Sequence, residues 1–474
     1  MASFALKDED GGAAPADPVE AISSDLQNVK VSTRDNLSVN QKRHLDSGIY
    51  FTDPRITGIV SKPILDALTI DMGFLKPSQI QSNAIPRILA GKNFIGQAQP
   101  GSGKTIAFTV GILSKIDVSK PALQALCLVP TRELATQIIE KAIKPLSARF
   151  PVIPKWEAAL KGIEIERGAK SVAQIVVGTP GTIRSWQQKK YIDFSTIKIF
   201  VLDEADEMVG TGQKERELGT ETRAIKKQLP ADCQMLFFSA TYTDQIINFS
   251  KQLIGGKATI CRLASTESLV LPEIFQVRIN VSGRDGKLKV LKEIYSLLSL
   301  EKSIVFCNTK NDANIIAKDL ESGGYTCSCF TGDLEPADRD RVFSGFCYGD
   351  VKVLITTNLL SRGVDVPAVS AVVNYDVPTF RDERGDHTAY VHRIGRCSRF
   401  GRHGTAITLL GSENDSKSMV DIEEFYNYTM EKRMTVEWSS EDIVGLTDEI
   451  DRKMKAPSEE VGLLVDDDVN NTEA

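Results

Sequence analysis

Short apolar runs, rich in β-branched and aromatic residues, alternate along the chain with stretches whose apolar positions recur at helical spacing. The runs are ALCLVP (125–130), QIVVGTP (174–180), IFVLDEAD (199–206), MLFFSAT (235–241), SIVFCNT (303–309), VLITTN (353–358), AVVNYDVP (371–378) and AITLL (406–410). Apolar strands that end in small or polar residues and are separated by helices are typical of parallel sheets with helices on both faces. The pattern therefore predicts an α/β fold.

The alternation stops between Cys261 and Ile274, where CRLASTESLVLPEI has little periodicity of either kind, and then starts again. We interpret this segment as a flexible linker between two α/β domains of ordinary size. The predicted organisation is a flexible N-terminal extension (1–47), a first domain (48–264), a linker (265–275), a second domain (276–445) and an acidic C-terminal tail (446–474). Both tails have too few large apolar side chains to offset the entropy of ordering.

Composition is that of a soluble globular protein: of 474 residues, 42% are hydrophobic and 25% are charged. No apolar run approaches the ~20 residues of a membrane helix, and the N-terminus lacks a secretory pattern, so we expect no membrane insertion. The eight cysteines include no CxxC pair, and most lie in apolar runs, which predicts packed, reduced thiols. The net charge of -6 does not by itself indicate a nucleic-acid partner.

The stretch GQAQPGSGKTIAF (96–108) lies between a predicted strand and a predicted helix. Glycine allows the backbone to curl so closely that successive N–H groups point at phosphate oxygens. The nucleotide-binding set predicted here is Ala98, Gly101, Ser102, Gly103, Lys104 and Thr105. Lys104 would reach the β and γ phosphates, and Thr105 would face a magnesium ion. A glycine-rich turn that happens to precede a lysine is the alternative.

Two adjacent carboxylates, Asp203 and Glu204, follow the apolar run IFVL. Such a pair is often only a solvated turn or a helix cap. Together with a phosphate loop, however, Asp203 can orient hydrated Mg²⁺ and Glu204 can polarise the attacking water. The pair therefore predicts a hydrolytic nucleotide site with Lys104, Asp203 and Glu204 among its catalytic residues.

The sequence DEAD at 203–206 and the motifs around it resemble the DEAD-box RNA helicases, in the family's order, from about Ser47 to residue 440. The resemblance implies two RecA-like domains, an RNA-stimulated ATPase activity, and ATP and Mg²⁺ as cofactors. GFLKPSQIQ resembles the segment that reads adenine, with Gln81 bonded to the base edge. SAT (239–241) resembles the motif that couples the site to domain closure through Ser239 and Thr241.

The resemblance also implies the contacts to RNA. It assigns the RNA backbone to Pro130, Thr131 and Arg132 in PTRELA, to Thr179, Pro180 and Gly181 in TPGT, and to Thr357, Arg362 and Gly363 in TTNLLSRGVDVP. It assigns the ATP ribose to Asp365. Contacts of this kind read the shape of a single strand or a short duplex rather than its sequence.

Four arginines in YVHRIGRCSRFGR, at positions 393, 396, 399 and 402, recur every three residues, which predicts that they lie close to one face of a helix. A solvated basic face would explain the same spacing. Because the second half has no phosphate loop of its own, we expect it to lend arginines across the cleft. The resemblance gives that part to Arg396 and Arg399. His392 is expected to couple the domains rather than to bind a metal.

This architecture predicts a cycle in which ATP and RNA bind surfaces on both domains and together stabilise a closed state. A bent strand held in that state cannot pair with its complement, so separation is local, and hydrolysis resets the enzyme. Two other functions fit the same motifs: an RNA clamp or scaffold with weak ATPase activity, and a DNA-directed helicase.

Residues 381–387, inserted before HRIGR, and Asn358 in TTN most resemble the messenger-RNA export subfamily of these helicases. That likeness implies an inositol-phosphate-dependent activator, a nucleoporin that docks on the first domain, a monomer, and a cytoplasmic and nuclear location at the cytoplasmic face of the nuclear pore. A translation-initiation helicase with a chance insertion is the alternative.

The chain departs from the family pattern in four places. The first is Ile56 in place of a stacking aromatic, for which either Phe51 substitutes with a shifted loop or adenine stacking is weaker. The others are Asp338 where glutamine usually precedes the arginine matched by Arg339, Cys397 and Ser398 between the finger arginines, and Gly162 as the only glycine of a usual pair. The predicted catalytic set is intact. We therefore expect ATPase activity without assuming robust unwinding.

Overall fold

Two seven-stranded sheets form the framework of the computed structural model. The structure describes residues 47–98, 101–208, 213–241, 244–263, 274–297, 302–360, 369–380, 382–397, 404–426, 433–437 and 452. The predicted N-terminal extension and acidic tail, apart from residues 47 and 452, lie outside this range.

The first sheet contains β1 (Asn93–Gln97), β2 (Ala125–Leu128), β3 (Trp156–Ala159), β4 (Ile175–Gly178), β5 (Ile199–Leu202), β6 (Gln234–Ser239) and β7 (Ala258–Arg262). Its strands are all parallel, in the order β3-β4-β2-β5-β6-β1-β7. The second contains β8 (Ile274–Asn280), β9 (Ser303–Phe306), β10 (Cys327–Phe330), β11 (Val353–Thr356), β12 (Ala371–Asn374), β13 (Gly404–Leu410) and β14 (Arg433–Glu437). It is also parallel, in the order β10-β11-β9-β12-β13-β8-β14.

The two orders are the same permutation, because each strand of the second sheet takes the place of the strand seven earlier in the chain. The chain therefore repeats one α/β unit. Since equivalent strands end at equivalent places, a loop after a strand of one domain has a counterpart in the other.

Helices connect the strands. They are α1 (Pro54–Thr57), α2 (Lys62–Asp66), α3 (Gln79–Leu89), α4 (Lys104–Lys115), α5 (Arg132–Ile138), α6 (Lys144–Ser147), α7 (Pro180–Gln188), α8 (Gln213–Lys226), α9 (Asp244–Ile254), α10 (Gly283–Leu297), α11 (Lys310–Ser322), α12 (Pro336–Tyr348), α13 (His387–Ile394) and α14 (Glu413–Phe425). Side-chain caps begin several of them: Thr131 accepts from the Leu134 N–H, and Thr309 accepts from the Asp312 N–H.

Alternate residues of the central strands pack into different cores. In β2, Ala125 and Cys127 belong to one cluster, and Leu126 and Leu128 belong to another. In the second sheet, Ile304 and Val305 separate in the same way. Successive side chains of a strand point to opposite faces, so both faces of each sheet are covered. The predicted fold class is confirmed.

The structure corrects two local predictions. Strand β8 begins at Ile274, inside the predicted linker 265–275, because pairing with β13 starts at that residue, which is buried. The predicted arginine face is also wrong. Helix α13 ends at Ile394 with Gly395 as its C-cap, so Arg396 lies beyond the helix.

The suggested aromatic substitute upstream of the glutamine motif is also corrected. Phe51 and Ile56 are each 1% exposed and belong to the same apolar core of the first domain. Burial to that extent leaves the Phe51 ring no face for a base. The neighbouring Tyr50 is 53% exposed, and the Lys76 ammonium lies 4.9 Å from its ring centroid.

All eight cysteines are free thiols. Burial raises the pKa of Cys127 and Cys307 well above the ordinary value, which keeps these thiols protonated. Among the residues that the structure describes, no helix has the length and apolar character needed to cross a bilayer.

Candidate nucleotide and RNA site

Most of the predicted site residues that the structure describes follow the carboxyl ends of strands. The phosphate loop follows β1, Asp203 and Glu204 follow β5, and the SAT motif closes β6. These three strands are neighbours in the order β5-β6-β1. The segments at 130–132 and 179–181 follow β2 and β4, which are neighbours on the other side of β5. The sheet thus places the predicted nucleotide and RNA residues side by side at the carboxyl ends of its strands.

The phosphate loop is tied to the sheet at its start, and its two ends are tied to each other. The Ala98 N–H donates to the Ser239 carbonyl at 3.2 Å, and Lys104 Nζ donates to the Ala98 carbonyl at 2.7 Å. Gly101 and Gly103 have φ of 75° and 94°, a region that favours glycine. The Ser102 hydroxyl is buried without a hydrogen-bond partner among the described residues, as expected of a group that would contact a phosphate oxygen.

Gln81 links this loop to helix α3. Its Nε2 donates to the Gly103 carbonyl at 3.2 Å, and its Oε1 accepts from the Ser78 N–H at 2.9 Å in a capping box. A carboxamide has a second N–H and a second lone pair, so the predicted contact with adenine stays a prediction. The structural role of Gln81 in holding the loop is one that sequence reasoning missed.

The contact between Gln81 and Gly103 predicts a large effect of Gly103→Ala. A Cβ at this position would overlap Gln81 Nε2, and the left-handed backbone would be strained as well. Relieving the overlap breaks the capping box, so we expect ATP affinity to fall at least about tenfold, the equivalent of ~1.4 kcal/mol. Gly91→Ala, with φ of 75° and open space around its Cβ, is the matched control for strain alone. Equal ATP affinities of the two variants in a fluorescent-nucleotide titration would refute this role.

Asp203 and Glu204 are buried at the end of β5, 3% and 7% exposed. Burial raises the pKa of Asp203 to about 6, against the opposing effects of the Lys104 ammonium and the Glu204 N–H. Glu204 has φ of 51°, a strained value for a side-chain-bearing residue and one often found at functional sites. The buried Asp203 carboxylate and the half-buried Thr105 hydroxyl are oxygen donors of the kind that Mg²⁺ prefers, so the residues present fit that ion.

A carboxylate of the first domain meets a histidine of the second. The Thr241 hydroxyl donates to Asp206 Oδ2 at 2.7 Å, and His392 Nε2 lies 3.7 Å from the same oxygen. Glu204, Asp206 and His392 each offer a ligand atom within 4.8 Å of the others. The predicted coupling residues Thr241 and His392 are thus brought together. Asp206, which joins them, was not among the predicted site residues, and the last letter of DEAD was the signal for it.

Arg393 and Arg396 differ from the predicted basic face. The Arg393 guanidinium is fully buried and bonds within its own domain: Nε and Nη2 donate to Asn358 Oδ1 at 2.9 and 2.6 Å, Nη2 to Asn308 Oδ1 at 3.0 Å, and Nη1 to the Asp376 carbonyl at 2.8 Å. Arg396 is 2% exposed, and its Nε donates to the His392 carbonyl at 3.1 Å. Arg393 is therefore a structural centre rather than part of a solvated stripe.

The second domain fills the position equivalent to the phosphate loop with its own side chains. Helix α10 begins three residues after β8, and its Lys287 pairs with Asp376 at 3.2 Å and with Asp415 at 2.9 Å. Asp376 lies two residues after β12, the strand equivalent to β5, which Asp203 follows directly. Among the described residues, these internal ion pairs occupy the place that the phosphate loop has in the first domain.

The predicted RNA residues lie at the starts of helices and at strand ends. The Thr131 hydroxyl caps α5, and Pro130 and Pro180 are buried. Nothing lies within 4 Å of a Cβ built on Gly181 at the start of α7, so the backbone there is open to a ligand. Thr357 follows β11, the strand equivalent to β4, and therefore corresponds in position to Thr179. Arg362, Gly363, Asp365 and Arg399 lie outside the described residues.

Ion pairs cross the cleft beside this surface. Arg132 Nη2 donates to Asp340 Oδ2 at 3.1 Å, and Arg339 Nη1 lies 3.5 Å from Glu133 Oε1. Pro336 Cγ lies 3.7 Å from a Cβ built on Gly162, whose φ is 98°. Helix α12 of the second domain thus closes against the first domain on the predicted RNA side. Local sequence patterns gave no signal for these contacts.

Comparison with known proteins gives a consistent result. Two family models match the chain: DEAD/DEAH box helicase over residues 78–249 and Helicase conserved C-terminal domain over residues 286–401. The ATP-dependent RNA helicase dbp5 of Schizosaccharomyces pombe is 40% identical over 367 residues, which are 77% of this chain and 71% of that protein.

Solved structures add information on the domain arrangement. S. cerevisiae Dbp5 bound to RNA and ADP BeF3 is 34% identical, with 84% of this chain and 98% of that chain covered and a TM-score of 0.77. A Dbp5 variant bound to Nup159, a Gle1 variant, IP6 and ADP is 33% identical, with 84% and 100% covered and a TM-score of 0.57. Since the score depends on how two domains are placed, the arrangement here is more similar to the former. The two α/β domains, the phosphate loop and the motif order have one explanation: the chain is an ATP-dependent RNA helicase and belongs to the DEAD-box family.

Proposed function

We propose that this helicase couples ATP binding and hydrolysis to local RNA unwinding and RNA–protein remodelling, and that it serves messenger-RNA export. One observation supports the coupling above all: His392 of the second domain lies 3.7 Å from an Asp206 oxygen that Thr241 also contacts, beside Glu204. A contact that exists only in the closed arrangement can make turnover depend on whatever closes the cleft.

The residues of the first domain divide the work at the nucleotide. Lys104 and the N–H groups of 101–105 hold the triphosphate, Gln81 fixes their loop and reads adenine, and Glu204 positions the attacking water and accepts its proton. Asp203 and Thr105 would hold Mg²⁺, largely through water. When bound, that ion neutralises charge on the phosphate oxygens.

The second domain completes the site. Arg396 and Arg399 are the arginines that stabilise charge on the transferred phosphoryl group, and Asp365 contacts the ribose. Arg396 is held at the end of α13 through the His392 carbonyl, so a shift of His392 would move it. The path from Thr241 through Asp206 and His392 to Arg396 therefore links the phosphate site to the finger.

RNA is gripped through its backbone. Pro130, Thr131 and Arg132, with Thr179, Pro180 and Gly181, form the surface on the first domain, and Thr357, Arg362 and Gly363 form the surface on the second. Helices α5 and α7 begin after neighbouring strands of the sheet. The free N–H groups and the positive dipole ends at these two N-termini favour phosphates. A strand bent across both surfaces loses its complement, and release of phosphate reopens the cleft.

The export assignment is supported by the relatives. The Dbp5 structures contain RNA, a Gle1 variant with IP6, and Nup159. We propose the same kinds of partner here: an RNA strand or short duplex, an inositol-phosphate-dependent activator and a nucleoporin. The location would be cytoplasmic and nuclear, at the cytoplasmic face of the pore, with the helicase itself a monomer.

An ATPase titration tests the function. Phosphate release by the full chain is measured at increasing concentrations of oligouridylate or of oligodeoxythymidylate, and also without nucleic acid. We expect saturable stimulation by RNA and little by DNA. Slow hydrolysis that ignores saturating RNA, with long-lived RNA complexes, would instead identify an RNA clamp, and equal stimulation by DNA would identify a DNA-directed enzyme. For an export helicase, the RNA-stimulated ATPase rate is expected to rise further when IP6 and a Gle1-type activator are added. An unchanged rate would contradict the export assignment.

The coupling path predicts a specific kinetic defect for His392→Gln. Loss of the imidazole removes the contact with Asp206 without touching the phosphate loop, so we expect RNA-stimulated kcat to fall about tenfold while the KM for ATP changes little. His387→Gln is the matched control, because His387 lies on the same helix but stacks on Phe425, with ring centroids 3.6 Å apart. A large rise in the KM for ATP, or equal loss in both variants, would argue against coupling.

A further inference from the structure

Four charged residues form a reciprocal set across the cleft. The first domain contributes the consecutive pair Arg132 and Glu133, and the second contributes the consecutive pair Arg339 and Asp340. Arg132 contacts Asp340 at 3.1 Å, and Arg339 approaches Glu133 at 3.5 Å. Each domain thus contributes one arginine and one carboxylate, and each arginine lies near the carboxylate of the other domain.

The pair of Arg339 and Glu133 fixes helix α12 against the first domain. Arg339 is anchored in its own domain, since Nε donates to the Leu334 carbonyl at 3.1 Å and Nη2 to the Gly332 carbonyl at 3.0 Å. The Glu133 side chain is 6% exposed, and burial raises the pKa of this carboxyl. Arg339 is the cation that offsets the cost of covering this acid when the cleft closes.

The other pair has a different character. The Arg132 side chain is 16% exposed and that of Asp340 is 54% exposed, so this contact lies at the open rim of the cleft. It uses one Nη2 hydrogen, and an arginine offers five N–H donors in a planar fork. The remaining donors can bind a phosphate while Asp340 holds the plane of the guanidinium. A long side chain that is already fixed loses less entropy on binding.

We propose that Asp340 positions the Arg132 guanidinium for the RNA backbone and does so only in the closed arrangement. Asp340 is then a positioning residue by which closure of the second domain raises the RNA affinity of the first. By linkage, RNA bound at Arg132 favours closure by the same factor. The inference rests on the proposed RNA contact of Arg132.

The sign of the effect separates this proposal from general electrostatics. Removing an anion near an RNA path strengthens RNA binding when the anion acts only through its charge. Removing Asp340 weakens binding if it positions Arg132. Asp338 supplies the control, since it lies on the same helix and its ion-paired side chain is 45% exposed, but its partner is Arg341 of the same domain, at 2.6 Å.

The experiment measures fluorescence anisotropy of a labelled oligouridylate with the full-length wild type, Asp340→Asn and Asp338→Asn, each with ADP-BeF3 and with ADP. The wild type is expected to bind the RNA more tightly with ADP-BeF3 than with ADP. Equal RNA affinities in the two nucleotide states would overturn the proposed function and this inference with it. Given that difference, Asp340→Asn is expected to weaken binding about threefold with ADP-BeF3 and to leave binding with ADP unchanged. Asp338→Asn is expected to bind as tightly as wild type or more tightly.

The same change in an Arg132→Ala variant tests whether Asp340 acts through Arg132. Arg132→Ala lowers RNA affinity by itself, and adding Asp340→Asn to it is expected to have no further effect, because the group that Asp340 positions is gone. The inference is overturned, with the proposed function intact, if Asp340→Asn binds as tightly as wild type with ADP-BeF3, if it weakens binding equally with ADP, or if its effect persists without Arg132.

Discussion

Glu204→Gln is expected to abolish turnover while ATP and RNA still bind. The amide keeps the shape of the side chain but cannot accept the proton of the attacking water, and loss of a general base costs roughly 10²–10⁴ in rate. We expect kcat to fall about a thousandfold, to a level near the detection limit of a phosphate-release assay. Because the trapped complex cannot reset, RNA is expected to dissociate more slowly with ATP than from the wild type.

The control for this variant is Glu207→Gln. Glu207 is also buried, in the 3₁₀ turn Ala205–Met208 that follows Glu204, and its N–H donates to the Glu204 carbonyl at 3.0 Å. It has no proposed part in hydrolysis, so this change is expected to retain most of the RNA-stimulated rate. Normal turnover in Glu204→Gln, or equal loss in both variants, would remove Glu204 from its assigned role.

Arg393→Met is expected to destabilise the second domain by about 3 kcal/mol. Buried charge clusters can sometimes be replaced by apolar residues without loss, but here the partners stay behind. The amide oxygens of Asn308 and Asn358 and the Asp376 carbonyl would each lose a donor at 2.6–3.0 Å. An unsatisfied buried acceptor costs about 1–3 kcal/mol, and methionine offers none of them a hydrogen.

Hydrogen exchange in the full-length protein locates this effect. Amides of β9 and β12 are expected to exchange faster in Arg393→Met, while those of β2 and β5 in the first domain keep wild-type protection. Arg384→Met is the matched control, because the Arg384 side chain is 69% exposed and pairs with Asp382, two residues before it. Unchanged protection of β9 and β12 in Arg393→Met would show that this network contributes little to stability.

The central strands could be predicted from the sequence because they are buried on both faces and read as continuous apolar runs. The strands at β3, β7, β10 and β14 gave no such signal. All four are edge strands, and two of them are visibly only partly buried: three of the four residues of β3 are half-buried, and no residue of β7 is fully buried. β10, an edge strand, contains the polar Ser328 between two cysteines. Partial burial removes the pattern that identifies a strand, whereas pairing with a neighbour still forms one.

Parts of the site were predictable for a related reason. The phosphate loop and the carboxylates after β5 are local, since the backbone geometry that binds phosphate is encoded within a few residues. Contacts that join distant positions were not predictable, as with His392 against Asp206 or Asp340 against Arg132. The spacing of the arginines was misleading, because the helix ends at Ile394, before Arg396, and Arg393 is buried within it.

The most direct test of the composite site is the distance between the domains. Fluorophores placed through unnatural amino acids at the exposed positions Lys189 and Glu321, one in each domain, report this distance by energy transfer. We predict one narrow high-transfer state when ADP-BeF3 and RNA are both present, and broad, lower transfer with either alone or with ADP. The same transfer distribution under all four conditions would contradict closure driven jointly by nucleotide and RNA.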